Sequence, residues 1–80
     1  MENRIANILA YQFPRLSVSR IVVSGSTATI FANPTDKVAV AKFLLKTYSE
    51  ISDVVIVANE KKYQFNRYII KDLERRRFAV

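Results

Sequence analysis

The chain has 80 residues, half of them hydrophobic and a quarter charged, and thirteen Lys and Arg against seven Asp and Glu give a net charge of +6. A chain of this length forms one small domain with a thin core, expected here over residues 1–80, and its apolar content argues against disorder. It contains no cysteine and no histidine, which excludes disulfides, thiolate metal sites and the most common general base near neutral pH.

A helix is predicted first. Pro14 restricts the conformation of the residue before it and is expected to end that helix. The apolar residues of the segment recur at spacings of three and four, as on one face of a helix. They are Ile5, Ile8, Leu9 and Phe13.

A β-hairpin is predicted next, because apolar residues alternate with a period of two from Leu16 to Ala32. Gly25-Ser26 interrupts the alternation, and a glycine at the first central position favours a two-residue type II′ turn. In that register Arg20 pairs with Phe31, and the side chains separate into two faces. The face predicted to lie in the core comprises Ile21, Val23, Ala28, Ile30 and Ala32. The opposite, mixed face comprises Arg20, Val22, Thr27, Thr29 and Phe31.

A second helix and a third strand follow. Asn33 or Thr35 is expected to cap the helix, which would run to about Glu50 with a broad apolar arc. The β-branched run from Val54 to Val57 is typical of a central strand that is covered on both faces.

The last predicted elements are a fourth strand and a charged helix. A four-residue turn over residues 59–62 would place Ala58 opposite Tyr63 and Ile56 opposite Phe65. Asn66 would then cap the final helix. The residues expected to face inward from that helix are Ile69, Ile70 and Leu73.

The predicted order α-ββ-α-ββ-α indicates a two-layer α+β domain, with a four-stranded, mainly antiparallel sheet packed by helices. Over Ile5 to Val57, the order of helix, hairpin, helix and strand is similar to that of the BON domain. The glycine that this family usually carries after its second strand is replaced here by Ala32-Asn33, and a fourth strand and a charged helix follow. The similarity therefore implies an arrangement of elements and no function.

Positive charge is concentrated in the last 21 positions, where seven Lys and Arg against three acids give a net charge of +4. Arg67, Lys71 and Arg75 recur every four residues, so they would form a stripe on the last helix that could follow a phosphate backbone. The predicted nucleic-acid-binding residues are Lys61, Lys62, Arg67, Lys71, Arg75, Arg76 and Arg77. The alternative is a solvated helix face whose charge complements the helix dipole.

The mixed face of the sheet is the second candidate site. Phe31 beside Arg20 would resemble a stacking platform for single-stranded nucleic acid. The alternative is that this face is buried by the N-terminal helix or by a second copy of the chain. We therefore predict Arg20, Phe31 and Val55 as interface or stacking residues, although no RRM or KH signature is present.

Other functional classes find little support in the sequence. The acids are scattered without metal-ligand spacing, and the longest uninterrupted apolar stretch, Val54 to Ala58, is far shorter than the roughly 20 residues that span a bilayer. We predict a cytoplasmic, non-enzymatic basic protein without metal, cofactor or membrane contact, which binds nucleic acid through its C-terminal helix. The alternative is a protein-interaction module or homodimer with no nucleic-acid role.

Overall fold

The computed structural model describes the backbone of residues 1–78 and the side chains of residues 1–76. The elements along the chain are α1 (Glu2–Gln12), β1 (Val18–Ser24), β2 (Thr27–Ala32), α2 (Lys37–Thr47), β3 (Asp53–Ala58), β4 (Lys61–Asn66) and α3 (Arg67–Phe78). The strands form one open sheet in the order β1-β2-β3-β4. The predicted order of elements and the two-layer α+β class are therefore confirmed.

The sheet is mixed, with two antiparallel pairs and one parallel pair. Each hairpin, β1 with β2 and β3 with β4, is antiparallel, whereas β2 and β3 run parallel at the centre of the sheet. Parallel neighbours need a long crossover connection, and α2 supplies it. The chain consequently makes two hairpins that a single helix joins into one sheet.

The first hairpin has the predicted register. Gly25 has a φ of 60°, and Arg20 pairs with Phe31. A bulge between Val18 and Arg20 shifts the pairing, and the Ser19 hydroxyl donates a hydrogen bond of 3.0 Å to the Phe31 carbonyl. Because Ser19 is the extra residue of this bulge, Val18 packs against the core instead of sharing a face with Arg20.

The predicted four-residue turn of the second hairpin is wrong. Asn59 and Glu60 form a two-residue turn with φ values of 51° and 65°, the left-handed pair that a type I′ turn requires and that matches the twist of the strands. Ala58 therefore pairs with Lys61. By the same register, Ile56 lies opposite Tyr63 and Val54 opposite Phe65.

All three helices pack on one face of the sheet. α1 lies against β1, α2 lies over β3 and β4, and α3 packs against β4 and α2. The buried side chains from the helices are Ile5, Leu9, Val40, Ala41, Leu44, Leu45 and Ile70. Those from the strands are Ala28, Ile30, Ala32, Val54, Ile56, Ala58 and Phe65. Burial of this apolar surface is the main force holding the two layers together.

The second face of the sheet has no helix on it within the described residues. Side chains along β2 and β3 alternate between buried and partly exposed, so Val55 and Val57 keep contact with solvent. The prediction that β3 is covered on both faces is therefore wrong. A continuous β-branched run is equally compatible with a strand that is covered on one face only, because every second residue of the strand faces the helices.

The helix ends differ from the prediction in detail. Asp36, rather than Asn33 or Thr35, caps α2, and its carboxylate accepts a hydrogen bond of 3.1 Å from the Ala39 amide. α2 ends at Thr47, three residues before the predicted end. Asparagine does cap α3 as predicted, since the side-chain oxygen of Asn66 accepts a bond of 2.9 Å from the Ile69 amide.

The inward face of α3 is narrower than predicted. Ile70 is buried and Leu73 packs partly against the core. Ile69, which was expected to face inward, is 38% exposed. Ile69 lies one turn before Leu73 at the edge of the inward face, where its side chain keeps contact with solvent.

The cap assignment can be tested by substitution. Asp36→Ala should remove the N-cap of α2 and lower the free energy of unfolding by about 1 kcal/mol. Thr35→Ala is the matched control at the neighbouring exposed position, and it should change stability by less than about 0.5 kcal/mol. Urea denaturation followed by far-UV circular dichroism measures both, and equal losses would contradict the assignment.

Candidate nucleic-acid interface

The predicted cations of α3 lie on its exposed side. Arg67, Lys71, Arg75 and Arg76 are all exposed. Arg76 forms an ion pair of 3.2 Å with Asp72, one helical turn earlier. Arg77 belongs to α3, but its side chain lies outside the described residues.

Arg67 has a structural contact that the sequence did not indicate. Its Nη2 atom donates hydrogen bonds of 2.7 Å to the Leu45 carbonyl and 3.2 Å to the Tyr48 carbonyl. These carbonyls lie in the last turn of α2 and at its C-cap, where helical carbonyls lack intrahelical partners and the helix dipole favours a cation. Arg67 therefore ties the start of α3 to the end of α2.

α2 and α3 lie side by side and run in opposite directions. The contact of Arg67 with the Leu45 carbonyl joins the start of α3 to the end of α2. Further along α3, Leu73 and Glu74 line a small cavity with Val38, from the first turn of α2. The end of α3 consequently lies near the beginning of α2.

A shallow groove of about 170 Å³ runs between the two helices, and we call it the α2–α3 groove. The residues that line it are Lys42, Leu45, Lys46, Arg67, Ile70, Lys71 and Glu74. The lining holds four cations and a single acid, Glu74, which pairs with Lys42 at 3.3 Å. The groove is therefore a positively charged channel with an apolar floor.

Two of these cations are not among the site residues predicted from the sequence. Lys42 and Lys46 lie on the solvated side of α2 and are four residues apart, so they form a short stripe beside the one on α3. Their spacing is readable from the sequence. That the stripe faces α3 depends on tertiary packing, which no local pattern encodes.

Lys61 and Lys62, which were predicted to act together, lie on opposite faces of the sheet. Both are the first residues of β4 rather than turn residues, so their side chains point to opposite faces. Lys61 shares its register position with the buried Ala58, on the helix side. Lys62 pairs with Val57 on the uncovered side.

The uncovered side, which we call the open sheet face, brings the predicted stacking residues together. Arg20, Phe31, Val57 and Lys62 are consecutive partners across the four strands. The Arg20 guanidinium carbon lies 5.7 Å from the centroid of the Phe31 ring. Val55 occupies the next row on the same face, beside Thr29 and opposite Gln64. The N-terminal helix does not cover this face, because α1 packs on the other one.

Known proteins add no further information about this site. No protein-family model, curated protein or solved structure matches the chain. Within residues 1–78, no group of three or more acidic side chains is arranged to hold a metal ion. In the same part of the chain, none of the three helices has the length and apolar character to cross a membrane.

The contact of Arg67 with α2 predicts that this residue contributes to stability. Arg67→Ala should lower the free energy of unfolding by about 1 kcal/mol, because two carbonyls lose a charged donor. Arg67→Lys should restore only part of this, since an ammonium cannot reproduce the guanidinium fork.

Lys71→Ala, one turn further along the same stripe, is the matched control. It should leave stability within about 0.5 kcal/mol of the original protein. The readout is chemical denaturation of all three variants. If Arg67→Ala and Lys71→Ala had the same effect, Arg67 would be only a solvated surface charge.

Proposed function

We propose that this protein is a non-enzymatic nucleic-acid-binding protein whose helix layer holds the phosphate backbone. The observation that carries the proposal is the α2–α3 groove, in which cations from two helices line one channel. Phosphates are recognised by such clusters through charge and hydrogen bonding. The overall charge of +6 would also draw a polyanion toward the protein.

The cations of the groove differ in how far they are available. Lys42 is shared with Glu74, and Arg67 already donates to α2. Lys46 and Lys71 have no carboxylate partner among the described residues. Arg75 extends the stripe by one turn. We therefore assign the principal phosphate contacts to Lys46, Lys71 and Arg75.

This arrangement favours binding without strong sequence preference. Phosphate contacts fix the position of a nucleic acid but do not read its bases. The predicted cluster at the end of α3 is also partly neutralised, since Arg76 pairs with Asp72. The proposed activity is thus salt-sensitive binding of DNA or RNA backbones.

A second candidate function is assembly of the protein with a second copy. The observation that favours it is the partly exposed apolar surface of the open sheet face, formed by Val22, Phe31, Val55 and Val57. Sheets commonly bury such a surface against another layer. In this case the protein would act as a protein-interaction module or homodimer, with no nucleic-acid role.

The assembly candidate predicts a dimer that depends on the open sheet face. Sedimentation at high protein concentration would give twice the monomer mass, and Val55→Asp would return it to the monomer mass, because a buried carboxylate without a partner is costly. Ile69→Asp, at an exposed apolar position of α3, is the control and would leave the dimer intact. A monomer at all concentrations would contradict this function.

The nucleic-acid proposal predicts a specific loss of salt dependence. Lys46→Gln with Lys71→Gln should make the plot of log binding constant against log salt concentration shallower by about 1 to 2 units, as expected for two lost phosphate contacts. Fluorescence anisotropy with a labelled duplex and with its single strand, at several salt concentrations, measures the slope.

Arg4→Gln with Arg15→Gln is the matched control. It removes the same charge from α1 and the turn that follows it, away from the groove. Its slope should stay close to that of the original protein. The proposal fails if both double variants change the slope equally, or if the original protein binds neither nucleic acid at low salt.

A further inference from the structure

The open sheet face has an apolar centre with a cation at each end. Its middle is formed by the partly exposed side chains of Val22, Phe31, Val55 and Val57, and Thr29 lies among them. Arg20 on β1 and Lys62 on β4 are exposed at the two edges of one row. Their strands are three spacings apart, or about 14 Å. The face therefore offers a flat apolar surface between two positive ends.

We propose that the open sheet face binds single-stranded nucleic acid, with a base stacked on Phe31 and phosphates held by Arg20 and Lys62. This extends the proposed function, on which it rests, by a second surface and by a preference for unpaired bases. Bases of a duplex are already stacked within the helix, whereas those of a single strand can lie on an aromatic ring.

Phe31 is well placed for this role. It lies on the second of four strands, with Arg20 on one side and Val57 on the other. In this row the Arg20 guanidinium carbon lies over the ring, and the neighbour on the other side, Val57, has a small β-branched side chain. Arg20, 5.7 Å from the ring centroid, can add its own planar guanidinium to the stack.

The charge of the face favours a polyanion over a second copy of the chain. Asp53 is the single carboxylate that the register puts on this face, and it lies two rows away from Arg20. Its Oδ2 atom accepts a hydrogen bond of 3.2 Å from the Ser52 hydroxyl. With two cations and one carboxylate the face is net positive, which repels an identical face and attracts a polyanion.

The experiment compares two single strands of equal length, one of thymidine nucleotides and one of abasic nucleotides. Both have the same phosphates, so a difference in affinity reports contacts with bases. The protein should bind the thymidine strand more tightly, and Phe31→Ala should weaken that binding about tenfold while leaving the abasic strand unchanged. Lys62→Gln should weaken both strands alike, because it removes a phosphate contact and leaves Arg20 and Phe31 in place.

Tyr11→Ala is the matched control, because Tyr11 is an aromatic residue of α1 that is 86% exposed. It should bind both strands as the original protein does. Should Phe31→Ala fold poorly by circular dichroism, Phe31→Leu removes the aromatic ring while keeping an apolar side chain and should show the same loss. Phe31→Tyr keeps the ring and should retain the affinity.

Several results would overturn the inference. Equal affinity for the two strands, or equal loss on both with Phe31→Ala, would mean that only charge acts at this face, and the role of the α2–α3 groove would stand. A dimer that Phe31→Ala dissociates would identify a second copy as the occupant. Absence of binding to either strand at low salt would remove this inference, and absence of binding to a duplex as well would remove the proposed function.

Discussion

The parallel pairing of β2 with β3 is the constraint on which the rest of the structure depends. Two strands can run parallel as neighbours only if the chain returns across the sheet, and α2 makes that return over one face. Ile30 and Ile56 lie side by side in these strands and are fully buried together with Leu44 of α2. α2 lies over β3 and β4, α1 packs against β1, and α3 packs against β4 and α2. Helices on a single side, and a sheet face without cover in the described residues, are consequences of this one connection.

The same constraint determines where the charges meet. Because α3 follows an edge strand and lies beside α2, the cations of both helices line a single groove. The two-residue turn at Asn59 and Glu60 places a cation on the other face of the sheet. It starts β4 at Lys61, so Lys62 lies on the uncovered side. The hairpin of β1 and β2 brings Arg20 into the same row. Residues that are distant in sequence thus form two basic surfaces, one on each side of the sheet.

Local signals in the sequence predicted the structure correctly where a residue type has one dominant backbone conformation. The chain has a single glycine, and Gly25 fixed both the first turn and the register that follows from it. The second turn has no such marker, because Asn59 and Glu60 adopt left-handed conformations without glycine. Likewise, the run from Val54 to Val57 does not distinguish one covered face from two. The neighbours of α3 could not be predicted for a different reason. Lys46 and Lys71 line one groove only because α2 and α3 pack side by side, and such packing is a property of the whole chain.

The two basic surfaces are linked around one end of the sheet. α3 runs antiparallel to α2, so its last described cations, Arg75 and Arg76, lie toward the beginning of α2. That beginning is at the turn end of β4, where the Lys37 ammonium lies 4.7 Å from the centroid of the Tyr63 ring. Lys61 is exposed at the same end of the strand. A single strand that left the open sheet face at Lys62 would meet Lys61 and then the end of α3, whereas a stiff duplex could not follow this sharp path around the edge. The clustered cations of residues 61–76 are thus distributed over the edge strand β4 and the helix that follows it.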